Sequence, residues 1–273
     1  MYGSLSQFFH ENTKQVQSLS KPNERTRLFP FYEDVVESIH FKTYPRFKKM
    51  TLKTSPQRRP SIQQSILNSR PVEKFTGQAL TFKEISEILF YSAGITYKEK
   101  GESKEAWDNS RRPYPSLGAR YPLELYPVIL RSSEADAGIY HYNVKYNTLE
   151  FMMKGDYTNT IIQAIPDQEW IRDASMVVLL SAIFKRTEIK YGDRGYRYVL
   201  LEAGHLAQNI YLIATSMKLG CCTVGAFHDD ELNELLDLDG TYESVIYCIV
   251  IGAIKQSLTK SIRSLRLIRP GIN

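Results

Sequence analysis

The chain has 273 residues, 42% of them hydrophobic, and a formal net charge of +5, enough length and apolar content for one large core. Lysines and arginines are scattered except at Lys48-Lys49 and along 260–269, so the dense basic stripe of a nucleic-acid binder is missing. There is no apolar run of about 18 residues to span a membrane and no apolar signal segment at the start, which points to a soluble cytoplasmic protein.

Residues 1–60 strew Phe8, Phe9, Phe29, Phe31, Tyr32 and Tyr44 among Lys, Pro and Ser without sustained periodicity, and read as an arm that docks by its aromatics. The remaining 61–273 read as one domain. Ser61 to Arg70 can form a helix that Pro71 stops. Thr81 with Glu84 forms a capping box for a helix reaching Ala93, with Gly94 at its end. Lys98 to Asn109 is charged and expected as an exposed loop. Arg111 to Pro122 holds Pro113, Pro115, Pro122, Gly118 and Ser116, a stiff irregular loop whose backbone amides can approach a ligand. Strands are expected at Leu123–Leu130, Gly138–Tyr142, Thr148–Met152, Ala174–Ile183 and Ser244–Ile251, with a hairpin turn at Lys145–Asn147. Helices are expected at 156–165 and 229–236, and Thr223–Phe227 is a short Gly-bearing apolar run.

The longest periodic segment is Arg197 to Lys218, where Leu200, Leu201, Ala203, Leu206, Ala207, Ile210, Ile213, Ala214 and Met217 recur at helical spacing. It is apolar nearly all round, which places it in the middle of a core, with something packed close to Gly204 and with Gly220 as its C′ residue. The alternation of helices and strands gives an α+β or α/β fold.

Spacing alone offers little chemistry. Cys221, Cys222 and Cys248 lie in apolar runs without zinc-ligand spacing, and read as reduced, buried thiols. Asp229-Asp230-Glu231 suits the positive end of a helix better than a metal, so no metal site is expected. Glu202, His205 and Asn209 share one row of the long helix, and His205 reads as a buried hydrogen-bonding residue. Lys190-Tyr191 can transfer a proton only if a pocket desolvates it; as an isolated pair it reads as a surface Lys and a packing Tyr.

Four blocks resemble the nitroreductase-like flavoproteins, in their SagB/McbC-type dehydrogenase branch. They are Phe9-His10-Glu11-Asn12-Thr13-Lys14; Arg112 through Tyr126, matching RPxPSxGAxYPLExY; Lys190 through Tyr198 with Glu202-Ala203-Gly204-His205; and Ala207 through Leu212 with Gly220 and Gly225-Ala226-Phe227. The resemblance runs over roughly residues 5 to 252. It implies an α+β fold with a central, mostly antiparallel sheet flanked by helices, FMN as cofactor, and a homodimer with flavin at its interface. It also implies oxidation of peptide thiazoline or oxazoline rings to thiazole or oxazole, with a cyclodehydratase complex as partner and no nucleic acid or membrane involved.

Carried over residue by residue, the resemblance makes Lys190 a base of lowered pKa and Tyr191 its proton-steering companion. It gives Pro115, Ser116, Gly118 and Ala119 as flavin contacts from the loop, and Gly225 and Ala226 as the step beside the flavin ring. The phosphate segment departs from the family's RRSxRxF: Arg70 is present, but Pro71 and Glu73 replace Ser and the second Arg. Lys74, Arg263 and Arg266 can compensate. Two alternatives stay open: an NAD(P)H-dependent nitro or quinone reductase, and a non-catalytic scaffold subunit of a peptide-modifying complex.

Overall fold

A computed structural model describes residues 4–14, 41–55 and 59–255. Seven strands form one sheet in the order β1-β4-β3-β2-β5-β7-β6, and every pairing between them is antiparallel. They are β1 (Lys48–Thr51), β2 (Leu123–Ile129), β3 (Gly138–Asn143), β4 (Thr148–Lys154), β5 (Met176–Ile183), β6 (Leu219–Val224) and β7 (Glu243–Ala253). β2 and β5 are buried at every position; the continuous apolar run of β5 foretells this, and β2 buries Glu124 along with its apolar residues. Within the stretch expected as an arm, Lys48–Thr51 supplies an edge strand of this same sheet.

Helices cover both faces. On one lie α3 (Phe82–Ala93) and α7 (Arg194–Ser216), with Ile85, Ile88 and Leu89 packed into the same core as Leu206 and Ile210. On the other lie α5 (Thr158–Ala164) and α8 (Asp229–Leu235), through Ile161 and Leu232. The Thr81–Glu84 capping box starts α3 and Gly94 ends it, as the sequence predicts. α1 (Leu5–Asn12) and α2 (Ile62–Asn68) are shorter, and α6 (Lys185–Tyr191) leads into α7 through Gly192.

Four local expectations are corrected. The stretch 98–109 is not wholly exposed loop: α4 (Lys104–Asp108) forms there and buries Ala106. The αL residue after α7 is Lys218 at φ 63°, while Gly220 sits inside β6, where its lack of a side chain makes room for Phe75. α7 is not buried all round, because Leu200 and Leu201 are 44% and 53% exposed and His205 faces outward with them. Among the described residues, no atom outside the helix's own backbone lies within 4 Å of where a Cβ at Gly204 would be, so none of them packs close there.

The first resemblance block docks onto the third. Arg194 donates to the Thr13 carbonyl at 2.5 Å, Arg197 to the Thr13 hydroxyl at 2.5 Å, and the Phe9 ring meets Tyr196 edge-on at 5.6 Å.

Candidate functional site

The loop before β2 meets the end of α6. Gly118 has φ 65°, and a Cβ built there would lie 2.6 Å from the Tyr191 hydroxyl and 3.1 Å from Lys190 Nζ. The residues expected from two separate blocks, Ser116, Gly118 and Ala119 on one side and Lys190 and Tyr191 on the other, therefore share one surface. Lys190 Nζ lies 5.7 Å from the Tyr191 ring centroid, and Tyr198 closes edge-on against that ring at 5.2 Å. Lys190 is exposed and Tyr191 half-buried. Partial burial raises the Tyr191 phenol above its usual range, the nearby Tyr198 adds to this, and Arg120 opposes it.

The loop is strained and held. Beyond Gly118, two non-glycine residues adopt positive φ, Ala119 at 52° and Tyr121 at 45°, at about 1 kcal/mol each or more. Tyr121 is fixed from four sides. Its N–H donates to Ser116 Oγ at 2.9 Å, its hydroxyl accepts from the Arg112 N–H at 3.1 Å, and its carbonyl accepts from Arg186 at 3.1 Å. The Arg112 guanidinium stacks 4.8 Å from its ring. Asn209 of α7 donates to the Pro113 carbonyl at 3.2 Å, and Arg120 donates to the Arg186 carbonyl at 2.7 Å. Backbone strain over-determined in this way is a feature of functional sites.

Behind the loop runs a buried charge network that spacing did not reveal. Arg186 donates to Glu124 at 2.6 Å, His141 bridges Glu124 at 3.0 Å and Glu150 at 2.9 Å, and Asn143 donates to Glu150 at 2.8 Å. Burial alone would raise the Glu124 carboxyl, but Arg186 and His141 outweigh it and hold it down at about 2. Another buried carboxylate, Glu243, accepts from Ser181 at 2.6 Å and Tyr126 at 3.0 Å.

The row of α7 turns out differently from its sequence reading. His205 is exposed rather than buried, whereas Glu202 is 2% exposed and lies beneath Ser116. Burial pushes the Glu202 carboxyl up to about 8, against a hydrogen bond with Ser116 and the fields of Arg112 and Arg186.

Gly225 and Ala226 are exposed just past β6, and a Cβ at Gly225 would meet only Tyr247 at 4.0 Å. Gly225 borders an open groove of about 790 Å³ walled by Phe184, Tyr196, Leu200, Phe227 and Tyr242, and neither Ser116, Gly118, Lys190 nor Tyr191 lines it. Arg70 is exposed, its guanidinium on the Ser69 carbonyl at 2.5 Å. Pro71 bridges Cys221 in parallel and the Val72 N–H donates to the Cys221 carbonyl at 3.0 Å, so this segment runs along the β6 edge. Glu73 is exposed there, close enough to raise the Cys222 thiol after burial has done so. Arg263 and Arg266 lie outside the described residues. Among the described residues no cluster of His, Cys, Asp and Glu could hold a metal, and no helix is long and apolar enough to cross a membrane.

Residues 70–253 match the family model "Nitroreductase family". The chain belongs to the nitroreductase family. A candidate nitroreductase of Methanocaldococcus jannaschii is 35% identical over 177 residues, 65% of this chain and 84% of that protein. The microcin B17-processing protein McbC of Escherichia coli is 30% identical over 135 residues, 47% of this chain and 49% of McbC. The trifolitoxin-processing protein TfxB of Rhizobium leguminosarum is 26% identical over 180 residues, 63% and 47% of the two chains. This chain thus spans about half the length of those two processing proteins. Its fold matches a candidate nitroreductase from Anabaena variabilis with TM-score 0.71 at 24% identity, covering 99% of this chain and 49% of that one. It also matches a chain of the E. coli microcin synthetase McbBCD complex with truncated pro-MccB17 bound, with TM-score 0.58 at 22% identity, covering 91% of this chain and 86% of that one.

Members of this family typically use FMN. The residues here suit a flat ring system: Gly118 and Gly225 leave exposed backbone, and the loop carrying Ser116 is held by the chain's own hydrogen bonds.

Proposed function

We propose that this protein is an FMN-dependent dehydrogenase that oxidises thiazoline or oxazoline rings of a peptide to thiazole or oxazole, in partnership with a cyclodehydratase complex. The observation that carries the reading is the contact of Gly118 with both Lys190 and Tyr191, which sets two sequence neighbours at the end of α6 against the Ser116–Ala119 loop. The likeness to McbC and TfxB, named as microcin B17- and trifolitoxin-processing proteins, supports a peptide as substrate.

Bound FMN would supply the two-electron acceptor, taking hydride from the ring. The chain's residues do the rest. Pro115, Ser116, Gly118 and Ala119 on the loop, Gly225 and Ala226 past β6, and Arg70 at the phosphate would hold the cofactor. Lys190 Nζ takes the acidic ring C–H proton as general base, and the Tyr191 hydroxyl orients or shares that proton. Lys190 is exposed in the protomer, so an incoming ring can reach its Nζ. The groove that Gly225 borders, which Ser116, Gly118, Lys190 and Tyr191 do not line, supports a homodimer in which each flavin draws on both subunits. The side of α7 left exposed among the described residues, with Leu200 and Leu201, supports it as the subunit interface.

Two other readings have a specific observation behind each. The M. jannaschii relative, matched over 84% of its length, favours a nitro or quinone reductase using NAD(P)H. Pro71 and Glu73 in the phosphate segment favour a flavin-free scaffold subunit. Absorbance of the purified protein before and after adding FMN separates the last from the first two. Stoichiometric flavin that persists in Lys190→Ala, with slow NADPH oxidation on nitroaromatics, supports the azoline reading. Colourless protein after reconstitution overturns it.

A further inference from the structure

Glu202 is a buried carboxyl beneath the loop, projecting from the middle of α7. It is 2% exposed, interacts with the Ser116 hydroxyl, and leaves its Oε1 without any hydrogen-bond partner. Arg112 and Arg186, both buried, reach it by field but form no ion pair with it, and Tyr114 feels its charge in turn. These are the charged and titratable groups that face it, Arg112 and Tyr114 from the loop and Arg186 from α6. Arg186 spends its one hydrogen-bonded nitrogen on Glu124 and the Tyr121 carbonyl, and its Nε and Nη2 are themselves buried and unpartnered. A site rich in donors has left this acid unpaired.

Ser116 has a single hydrogen. Its oxygen already accepts the Tyr121 N–H at 2.9 Å, the bond that closes the strained turn around Gly118. An ionised carboxylate can only accept, so a charged Glu202 draws the Ser116 hydrogen inward. A neutral Glu202 can donate its own proton to the second lone pair of Ser116, which frees the Ser116 hydrogen to point outward, toward whatever lies on the loop.

We propose that Glu202 is a positioning residue that decides, through the one hydrogen of Ser116, whether the loop can donate a hydrogen bond outward to the cofactor. This rests on the reading that Ser116 contacts FMN. Because burial keeps the acid neutral until about pH 8, the outward donor is present at neutral pH and is withdrawn as Glu202 ionises in more alkaline solution.

The test is FMN affinity, followed by quenching of flavin fluorescence, from pH 6.5 to 9.5 in the full-length protein. The wild type is expected to bind FMN about 2- to 10-fold more weakly above pH 8 than below it, the worth of one lost hydrogen bond. Glu202→Gln, which matches the neutral acid in shape and cannot ionise, is expected to remove that alkaline loss. Ser116→Ala is expected to bind at the weak level at every pH, and far-UV circular dichroism of each variant checks that it is folded. If Glu202→Gln or Ser116→Ala keeps the wild-type pH dependence, the assignment of Glu202 is overturned while the FMN reading stands. If the wild type binds no FMN at any pH, the proposed function fails and this inference with it. Should Glu202→Gln fail to fold, Ser116→Ala alone still decides the matter, since a retained alkaline loss without the hydroxyl contradicts the relay.

Discussion

Gly118 and Tyr191 are packed so closely that a single methyl group at residue 118 would sit 2.6 Å from the Tyr191 hydroxyl oxygen. The backbone there is at φ 65°, so alanine would be both strained and obstructed. Gly118→Ala is expected to displace Tyr191 and Lys190 and to lower ring oxidation at least tenfold. Its cost in stability should be small, about 1 kcal/mol, because Gly118 is exposed. Steady-state kinetics beside a thermal melt checks both, and unchanged turnover would separate the loop from the pair.

The Arg186–Glu124–His141–Glu150 network gives the fold a pH window. The Glu124 carboxyl is depressed from an ordinary 4.5 to about 2. Its stabilisation is present above pH 4.5 and is lost as pH falls toward 2. His141 runs the other way: burial would lower it, but hydrogen bonds to Glu124 and Glu150 win and raise it above 6.5. Its contribution is full below that value and fades as pH rises through the elevated one. Arg186→Met removes the strongest influence holding Glu124 down. It should cost about 3–5 kcal/mol as a broken buried pair and move acid unfolding to higher pH. Melts between pH 2.5 and 7 test this, and an unshifted acid limb would contradict it.

How much of this was legible in the sequence depended on whether the signal was local. The α3 capping box, the buried β5 run and the hairpin ending at Asn147 (φ 49°) each announce themselves within a few residues. Lys190-Tyr191 and the Ser116–Gly118 loop were legible as separate motifs. Their contact depends on how α6 docks against the loop, which no spacing encodes. Glu124, His141 and Glu150 sit on three strands, and only the sheet register brings His141 opposite Glu150. The error on α7 has a different origin. Leu200 and Leu201 are as apolar as core residues, and sequence cannot tell a face buried in a fold from one left for a partner. Glu202 and His205 share a row by count, yet the helix rotation buries the first and exposes the second.

That exposed face carries the next prediction. Leu201→Arg places a charge at the centre of the expected subunit interface. The wild type should run as a dimer in light scattering, and Leu201→Arg as a monomer that loses FMN with little change in fold by circular dichroism. A wild-type monomer that still holds stoichiometric FMN would contradict the two-subunit flavin site.

The Thr81 cap supplies a structural control. Its side chain accepts the Glu84 N–H at 3.1 Å while Glu84 accepts the Thr81 N–H at 2.8 Å, far from the loop in sequence and in role. Thr81→Ala should cost about 1 kcal/mol in denaturant unfolding and leave FMN binding unaltered. A cofactor defect here would mean that affinity tracks global stability rather than the residues named above.

The most direct test of the central claim is the mass of an azoline-bearing peptide after incubation with the FMN-loaded protein, wild type against Lys190→Ala. The wild type should remove two hydrogens from each ring oxidised. Lys190→Ala, with FMN still bound by absorbance, should leave the ring mass unchanged. Equal oxidation by both proteins would refute Lys190 as the base, and no oxidation by the flavin-loaded wild type would refute the dehydrogenase assignment itself.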